Sequence, residues 1–293
     1  MNMLLIGGTG TVGSQTVREL LGRNVQPSVL TRSTEKVRQL PDGVRGVVGD
    51  LSQPETLSAA LRGTERVILI TPLTPSEVVE GLRVVRLARE AGVRRIAFLS
   101  IHDVEKVPEA PHFSAKIAIE HAIRESGMAW TFIKPNNFFQ NDFWFEQAIV
   151  DDGVYPQPYG NAGMSRVDTR DIAEALATAI VEEGHEGQSY PLAGPDVVTG
   201  ESTAATWSRH LGREVRYAGD DLDAWEAQTR KIMPDWAVDD WVIMYRYFQR
   251  KGLRASDEDL QKQARILKHP PRRFDDFVKE TAAGWRGKRA TGA

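Results

Sequence analysis

Cysteine is absent from the 293 residues of the sequence, which excludes disulfide bonds and any reaction that needs a thiol. This absence is compatible with the reducing cytoplasm, where we expect the protein to be located. The six histidines are scattered, and none pairs with another at a metal-ligand spacing beside carboxylates. We therefore expect a protein without disulfides and without a bound metal.

A large excess of charge is also missing, because 37 basic and 40 acidic residues leave a net charge of −3. This balance gives no attraction for polyanions, so nucleic acid is not an expected partner. No apolar run is long enough to cross a bilayer, and no basic region precedes the first one. We therefore expect neither a membrane segment nor a signal peptide. The hydrophobic content of 41% is ordinary for a globular protein.

The most informative feature present is a run of glycines near the start of the chain. Residues 7–13 read Gly-Gly-Thr-Gly-Thr-Val-Gly, after the apolar run at residues 3–6 and before a helical pattern. Glycine backbone can approach a pyrophosphate closely, and the N-terminus of the following helix presents free N–H groups to it. The strand, turn and helix together predict a dinucleotide site. The expected contacts are Gly7, Gly10, Thr11, Val12 and Gly13.

Apolar runs and helical patterns alternate through the first half of the chain. The predicted strands lie at residues 3–6, 27–31, 46–48, 67–70, 96–99 and 130–133. The predicted helices lie between them at residues 14–21, 54–61, 78–91 and 116–125. Buried strands separated by helices indicate a parallel sheet covered on both faces. The sequence thus predicts an α/β protein with a doubly wound sheet, the Rossmann fold, whose ligand crevice lies at the carboxyl ends of the strands.

The pattern changes after residue 153. A helix is predicted at residues 167–180 and a last strand at residues 189–192, and from residue 202 the chain is mostly helical and rich in aromatic residues. We expect residues 1–153 to form the NAD(P)-binding domain. Residues 154–293 are expected to form a smaller, mostly helical cap that binds substrate and is interleaved with the same fold. Its aromatic content favours an apolar pocket, although Trp and Tyr serve more often in cores and interfaces.

The end of the second strand discriminates between nicotinamide cofactors in this fold. An acidic residue there binds the ribose diol of NAD, whereas a cation accommodates the 2′-phosphate of NADP. This sequence has Thr31 followed by Arg32, and Lys36 lies one turn later. Arg32 offers a planar fork for a phosphate, and Thr31 or Ser33 can add a hydroxyl donor. We therefore predict NADP(H) in preference to NAD(H), although Lys36 fits a solvated helix position equally well.

Three further residues at strand ends are expected beside the cofactor. Asp50 follows the third strand, where its carboxylate can meet the adenine amino group or serve as an ordinary turn acid. Thr71 and Pro72 follow the fourth strand, and we expect them beside the central part of the cofactor.

Residues 111–120, which open the helix predicted at residues 116–125, carry candidate groups for chemistry. His112, Lys116 and Glu120 are spaced four residues apart, so they share one face of the helix. Lys116 near the helix start can hold the hydroxyls of the nicotinamide ribose, although on spacing alone an ordinary surface lysine is the simpler interpretation.

These segments resemble the NmrA-like branch of the short-chain dehydrogenase/reductase superfamily. The resemblance is carried by the glycine-rich start, by Pro-His-Phe-x-x-Lys at residues 111–116 and by Lys-Pro-Asn-Asn-Phe-Phe-Gln-Asn at residues 134–141. Val-Asp-Thr-Arg-Asp-Ile-Ala at residues 167–173 resembles the extended members. Relatives include reductases of dyes, quinones and lignan-type aromatics, and also redox-sensing regulators that bind the cofactor without turnover.

The sequence departs from the wider superfamily at its catalytic pair, Tyr-x-x-x-Lys. Lys116 is retained, but His112 stands where the tyrosine would be, which puts ordinary ketone reduction in doubt. Imidazole titrates near neutrality and can donate a proton instead. Alternatively, no protein acid is needed, because a reduced quinone, azo or other conjugated acceptor takes its protons from water. A helix-cap or packing histidine is the plainer interpretation of His112. For the usual serine after the fifth strand the sequence offers Ser100, with His102 two residues later.

The residues after the sixth strand are expected where the chain passes the nicotinamide. Pro135 and Asn136 are predicted cofactor contacts, together with Ser100 and Lys116. The predicted substrate residues are His102, Asn137, Phe138 and Phe139. The two phenylalanine rings would form an apolar wall, and the alternative is that they fill the core.

The resulting hypothesis is an NADPH-dependent reductase of a hydrophobic, aromatic or otherwise conjugated small molecule. The alternative is a non-catalytic NADP(H) sensor that acts through a protein partner, and the missing tyrosine favours it. A conventional carbonyl reductase or epimerase is a third interpretation, and His112 counts against it. A homodimer and a regulatory partner both stay open.

Overall fold

The computed structural model describes residues 2–291, with side chains through residue 287. The chain forms two compact units. The first unit runs to Pro135 and takes in Thr169–Leu192 and Gln261–Lys268, whereas the second comprises Asn136–Asp168, Ala193–Leu260 and the chain from His269 onward. The chain therefore passes between the units several times. The assignment of substrate binding to residues 154–293 stays a prediction.

The described residues form nine strands. They are β1 (Met3–Ile6), β2 (Ser28–Thr31), β3 (Arg45–Val48), β4 (Arg66–Leu69), β5 (Arg95–Leu99), β6 (Ala129–Pro135), β7 (Val154–Tyr155), β8 (Gln188–Leu192) and β9 (Arg216–Tyr217). In the first unit, seven parallel strands form one sheet in the order β3-β2-β1-β4-β5-β6-β8. Connections from β1 and β4 run to opposite sides, which leaves a crevice at their carboxyl ends. The predicted doubly wound parallel sheet is confirmed.

Twelve α-helices lie within the described residues. They are α1 (Thr11–Gly22), α2 (Thr34–Arg38), α3 (Pro54–Leu61), α4 (Glu77–Glu90), α5 (Pro111–Glu125), α6 (Glu146–Val150), α7 (Thr169–Val181), α8 (Gly200–Leu211), α9 (Leu222–Thr229), α10 (Asp235–Lys251), α11 (Asp257–Leu267) and α12 (Phe274–Thr291). Short 3-10 helices occupy Val104–Lys106 and Phe139–Phe145. Over residues 2–291, none of the helices has the length and apolar character that crossing a membrane requires.

The sheet of the first unit is covered by helices on its two faces. Helices α1 and α7 pack against each other, and α7 contacts β4, β5 and β6. Helices α3, α4 and α5 contribute Leu57, Val84 and Ile119 to one buried cluster with strand residues such as Leu69 and Phe98. Removing this apolar surface from water is the main favourable contribution to folding here.

Two helices begin earlier than the sequence patterns predicted. Helix α1 begins at Thr11, directly after the glycine turn, and not at residue 14. Helix α5 begins at Pro111 and not at residue 116, because proline suits the first helical position, where an N–H has no partner. The five-residue helix α2 was not predicted, and Ser33 caps it by accepting from the Lys36 N–H at 3.3 Å.

The second unit is mainly helical, as expected for the carboxyl-terminal region, and its core is aromatic. Trp207 is wholly buried and stacks on Trp285 with ring centroids 4.7 Å apart. Phe139 packs against Phe274 and Phe277, with centroid distances of 5.1 and 5.4 Å. Much of the aromatic content noticed in the sequence therefore fills this core.

Candidate functional site

The turn between β1 and α1 requires glycine at two positions because of packing. Gly7 has a φ of +83°, and a Cβ atom there would lie 2.4 Å from the Ile70 carbonyl oxygen. A Cβ atom on Gly13 would lie 2.1 Å from the Gly7 carbonyl oxygen. Both distances are far shorter than van der Waals contact. The turn therefore closes tightly against β4 only with glycine at these positions.

Gly10 differs from these two, because the fold leaves room for a side chain there. A Cβ atom on Gly10 would meet only the Gly7 carbonyl oxygen, at the ordinary contact distance of 3.5 Å. Gly10 is exposed, and helix α1 begins beside it at Thr11 and Val12 without a side-chain cap. The first N–H groups of α1 therefore have no side-chain acceptor and lie beside an exposed glycine, an arrangement that can bind an anion such as a pyrophosphate.

The end of β2 is followed directly by an exposed cation, Arg32, and the nearest carboxylate in the chain, Glu35, lies in the first turn of α2. Arg32 and Lys36 are exposed, whereas Thr31 is buried and its Oγ1 accepts from the Ser33 N–H at 3.3 Å. Thr31 therefore serves the local turn. Of the predicted residues in this segment, Arg32 combines access with the geometry that suits a phosphate.

Asp50 forms a turn at the end of β3. Its Oδ1 accepts from the Ser52 N–H at 2.8 Å and from the Ser52 hydroxyl at 2.7 Å. These hydrogen bonds, with a smaller effect of Arg32, hold the pKa of Asp50 below its usual value. The structure therefore gives Asp50 the turn role that the sequence allowed, and its contact with an adenine stays a prediction.

Lys116 projects from α5 and is buried against the end of β4. Its Nζ donates to Thr71 Oγ1 at 2.6 Å and lies 2.8 Å from Glu77 Oε1. The structure thus brings the predicted residues Lys116 and Thr71 together, while the predicted residue Pro72 is exposed next to them in the chain. Glu77 was missed by the sequence analysis. Its only signal was an acidic residue in the first turn of a helix, where a favourable helix dipole explains it equally well.

Glu120, the next residue on that face of α5, belongs to a separate cluster. It is buried, accepts from Ser100 Oγ and from Arg124 Nη2 at 2.9 Å, and lies 3.2 Å from Lys134 Nζ. Because Ser100 donates its hydroxyl hydrogen to Glu120, a contact of Ser100 with a cofactor can use only its oxygen lone pairs.

The two candidate histidines occupy different environments. His112 is half-buried in the first turn of α5, with its ring edge-on to Phe113 at 4.6 Å. His102 is buried, and its backbone N–H donates to the Pro135 carbonyl at 2.9 Å. Burial speaks against the predicted contact of His102 with a substrate. Within the described part of the chain, no group of three His, Asp or Glu side chains is placed to hold a metal ion.

The segment after β6 is held by hydrogen bonds within itself and to residues distant in the chain. Asn136 is buried, its Nδ2 donates to the Leu253 carbonyl at 2.7 Å, and its Oδ1 accepts from the Asn137 N–H at 2.9 Å. Phe138 is half-buried, but Phe139 is only 1% exposed. The ring of Phe139 packs in the core of the second unit, which is the alternative that the sequence left open, and its contact with a substrate stays a prediction.

Arg166, which the sequence analysis did not identify, fixes the same segment. It is wholly buried, and its Nη2 donates to Asp142 Oδ1 at 2.8 Å and to the Phe138 carbonyl at 2.7 Å. Its Nε donates to Asn137 Oδ1 at 3.2 Å. Nothing in the sequence distinguishes this arginine from one on the surface, because its partners are distant in the chain.

Comparisons with known proteins agree with this architecture. The sequence is 35% identical to the NAD(P)H azoreductase of Xenophilus azovorans, over 97% of this chain and 99% of that protein. It is 33% identical to the (4-alkanoyl-5-oxo-2,5-dihydrofuran-3-yl)methyl phosphate reductase of Streptomyces griseus, over 96% of this chain and 98% of that protein. The fold matches the NADPH complex of a quinone oxidoreductase from Escherichia coli, with a TM-score of 0.86 at 24% identity over 95% of this chain and 99% of that one. Because residues 1–278 match the NmrA-like family, the chain belongs to that family.

Proposed function

We propose that this protein is an NADPH-dependent reductase of a hydrophobic, conjugated small molecule, such as a quinone, an azo dye or an enone. The observation that carries the proposal is the open turn at Gly10, where bare backbone meets an uncapped helix N-terminus at the crevice edge of the sheet. The relatives add support, because two that match over nearly their whole length are named as an azoreductase and as a reductase of an oxo-dihydrofuran phosphate.

The preferred cofactor in this proposal is NADP(H). Support comes from Arg32, which is exposed directly after β2 where an NAD-binding protein carries an acidic residue, and from the exposed Lys36 of α2. Arg32 can form two parallel hydrogen bonds to a 2′-phosphate, and Lys36 adds positive charge.

The roles of the residues follow from their positions. Gly10 and the first turn of α1 bind the pyrophosphate, and Lys116 donates to a ribose hydroxyl. The bound nicotinamide supplies the hydride, while the protein supplies orientation and exclusion of water. His112, one helical turn before Lys116, donates a proton to the reduced acceptor. Asn137 and Phe138 remain the predicted substrate contacts.

The test is NADPH oxidation measured against a panel of quinones, azo dyes, conjugated enones and simple ketones. We expect turnover of conjugated acceptors and little turnover of simple ketones. Lys116→Ala should raise the KM for NADPH about tenfold, as expected for loss of a charged hydrogen bond. His112→Phe should lower kcat about 100-fold for acceptors that need a protein acid. Lys279→Ala, which removes an exposed lysine of α12, is the control and should change neither.

A sensor without turnover is the second candidate, because His112 replaces the catalytic tyrosine of the wider superfamily. Tight NADPH binding, no turnover of any acceptor and recovery of a partner protein would favour it over the reductase. If His112→Phe and Lys116→Ala both oxidise NADPH at the unaltered rate, the residues on this face of α5 take no part in the reaction.

A further inference from the structure

Glu77, the first residue of α4, is a carboxylate that the fold removes from water. Its side chain is 3% exposed, and its Oε1 accepts from Thr71 Oγ1 at 2.7 Å. The same oxygen lies 2.8 Å from Lys116 Nζ. A buried carboxylate is strongly unfavourable unless it is paired and hydrogen-bonded, so Glu77 depends on these two partners.

The three side chains form a closed triangle, because Lys116 Nζ also donates to Thr71 Oγ1 at 2.6 Å. An ammonium group has three N–H donors, and Thr71 and Glu77 occupy two of them. The ammonium also lies 5.2 Å from the centre of the Phe98 ring. The ammonium of a lysine sits on a flexible four-carbon chain and has no preferred direction of its own. The contacts with Thr71 and Glu77 therefore fix the direction of the remaining N–H.

We propose that Glu77 is a positioning residue that holds Lys116, with Thr71, so that the free N–H of the ammonium binds a ribose hydroxyl of the nicotinamide nucleotide. This inference rests on the proposed function, since Lys116 is assigned to the ribose there. Glu77 itself touches no part of the cofactor. Its effect on the cofactor is exerted entirely through Lys116.

The proposal differs from a purely structural ion pair in what it predicts for two nucleotides. The nicotinamide ribose is common to NADPH and NADH, so loss of Glu77 should lower the affinity for both nucleotides to the same extent. Loss of a contact to the 2′-phosphate would weaken NADPH alone. If Glu77 had only a structural role, its loss would lower the stability of the fold without lowering the affinity of the folded protein for NADPH and NADH equally.

The test is a double-mutant cycle on nucleotide affinity. Each affinity is measured by fluorescence titration in the absence of any acceptor. Glu77→Gln should weaken NADPH and NADH alike, by about tenfold. Lys116→Met should weaken both at least as much. Glu77→Gln in the Lys116→Met background should cause no further loss. Thermal unfolding of every variant, measured in parallel, separates loss of binding from loss of folded protein.

Glu80→Gln is the matched control, because it removes the same charge from the same first turn of α4. Glu80 Oε1 accepts from Ser76 and is not bonded to Lys116. We expect unchanged binding in this variant. If Glu77→Gln does not fold, Thr71→Val removes the bridging hydroxyl and should also weaken both nucleotides equally.

Two results would overturn the proposal. One is an unchanged affinity in Glu77→Gln, and the other is an equal loss from Glu77→Gln with and without Lys116. These outcomes are distinct from failure of the proposed reductase activity, which would leave the titrations unaffected. If the unaltered protein binds neither nucleotide, both proposals fail together.

Discussion

The Arg166 guanidinium lies 2.8 Å from Asp142 Oδ1, and both side chains are completely buried in the second unit. Burial disfavours the charge on Arg166, but the attraction of Asp142, together with smaller effects of Tyr159 and Tyr155, raises the pKa of the guanidinium above its usual value. Asp142 also accepts from Trp207 Nε1 at 2.9 Å and from Gln157 Nε2 at 3.0 Å. The pair is therefore embedded in a network in which each charge is hydrogen-bonded.

Loss of one member of this pair should be strongly destabilising. Arg166→Met leaves Asp142 as a buried, uncompensated charge, which typically costs about 3–5 kcal/mol of unfolding free energy. Urea denaturation of the variant measures the loss. Arg273→Met is the control, because it breaks an ion pair with Asp196 that involves a mostly exposed arginine, and it should cost less than about 1 kcal/mol.

The double variant Arg166→Met with Asp142→Leu provides the second half of this test. Because it removes both charges, it should lose less than the two single variants added together. Strict additivity would mean that the two residues contribute independently, in contradiction to the geometry.

The sequence was sufficient for the sheet and the cofactor turn, and insufficient for the partners of buried charges. Buried strands and the glycine spacing leave local signals, so β1, the turn and α1 were found together. Glu77 and Lys116 are 39 residues apart in the numbering, and they meet because α4 and α5 pack against each other. The core packing of Phe139 could not be predicted for a related reason, since its partners Phe274 and Phe277 lie far along the chain.

Replacing the glycines of the turn by alanine should distinguish those needed for stability from those needed for NADPH binding. Gly13→Ala places a methyl group 2.1 Å from the Gly7 carbonyl oxygen and should lose about 1–3 kcal/mol of stability. Gly10→Ala meets only an ordinary contact, so its stability should change by less than about 0.5 kcal/mol. Its affinity for NADPH should nevertheless fall, because the new methyl group faces the open approach. Full affinity in folded Gly10→Ala would show that the pyrophosphate does not approach there.

Alkaline pH should unfold the protein through its buried tyrosines. Burial raises the pKa of Tyr159 to about 12, against an opposing effect of Arg166. Because an unfolded tyrosine has a pKa of about 10, this contribution to stability is complete below pH 10 and is lost as the pH rises toward 12. Tyr159→Phe should be less stable than the unaltered protein at neutral pH, since it loses the hydrogen bond to Gln157 Oε1 at 2.6 Å. Its stability should fall less steeply above pH 10, and parallel pH curves in thermal unfolding would contradict this account.

Arg32 should decide between the two nicotinamide cofactors. It is exposed directly after β2, at the carboxyl end of a parallel strand, where the ligand crevice of this fold lies. We expect Arg32→Gln to weaken NADPH about tenfold or more, because a charged hydrogen bond to the 2′-phosphate is lost, and to leave NADH unchanged.

Titration of both nucleotides against Arg32→Gln and Lys36→Gln measures each contribution to this preference. Because Lys36 fits a solvated helix position as well as a phosphate site, its replacement should have the smaller effect, and the NADPH affinity of the unaltered protein should fall with added salt. An equal loss of both nucleotides in Arg32→Gln would place this arginine away from the 2′-phosphate. Tighter binding of NADH than NADPH by the unaltered protein would overturn the cofactor preference itself, since the 2′-phosphate would then contribute no net attraction.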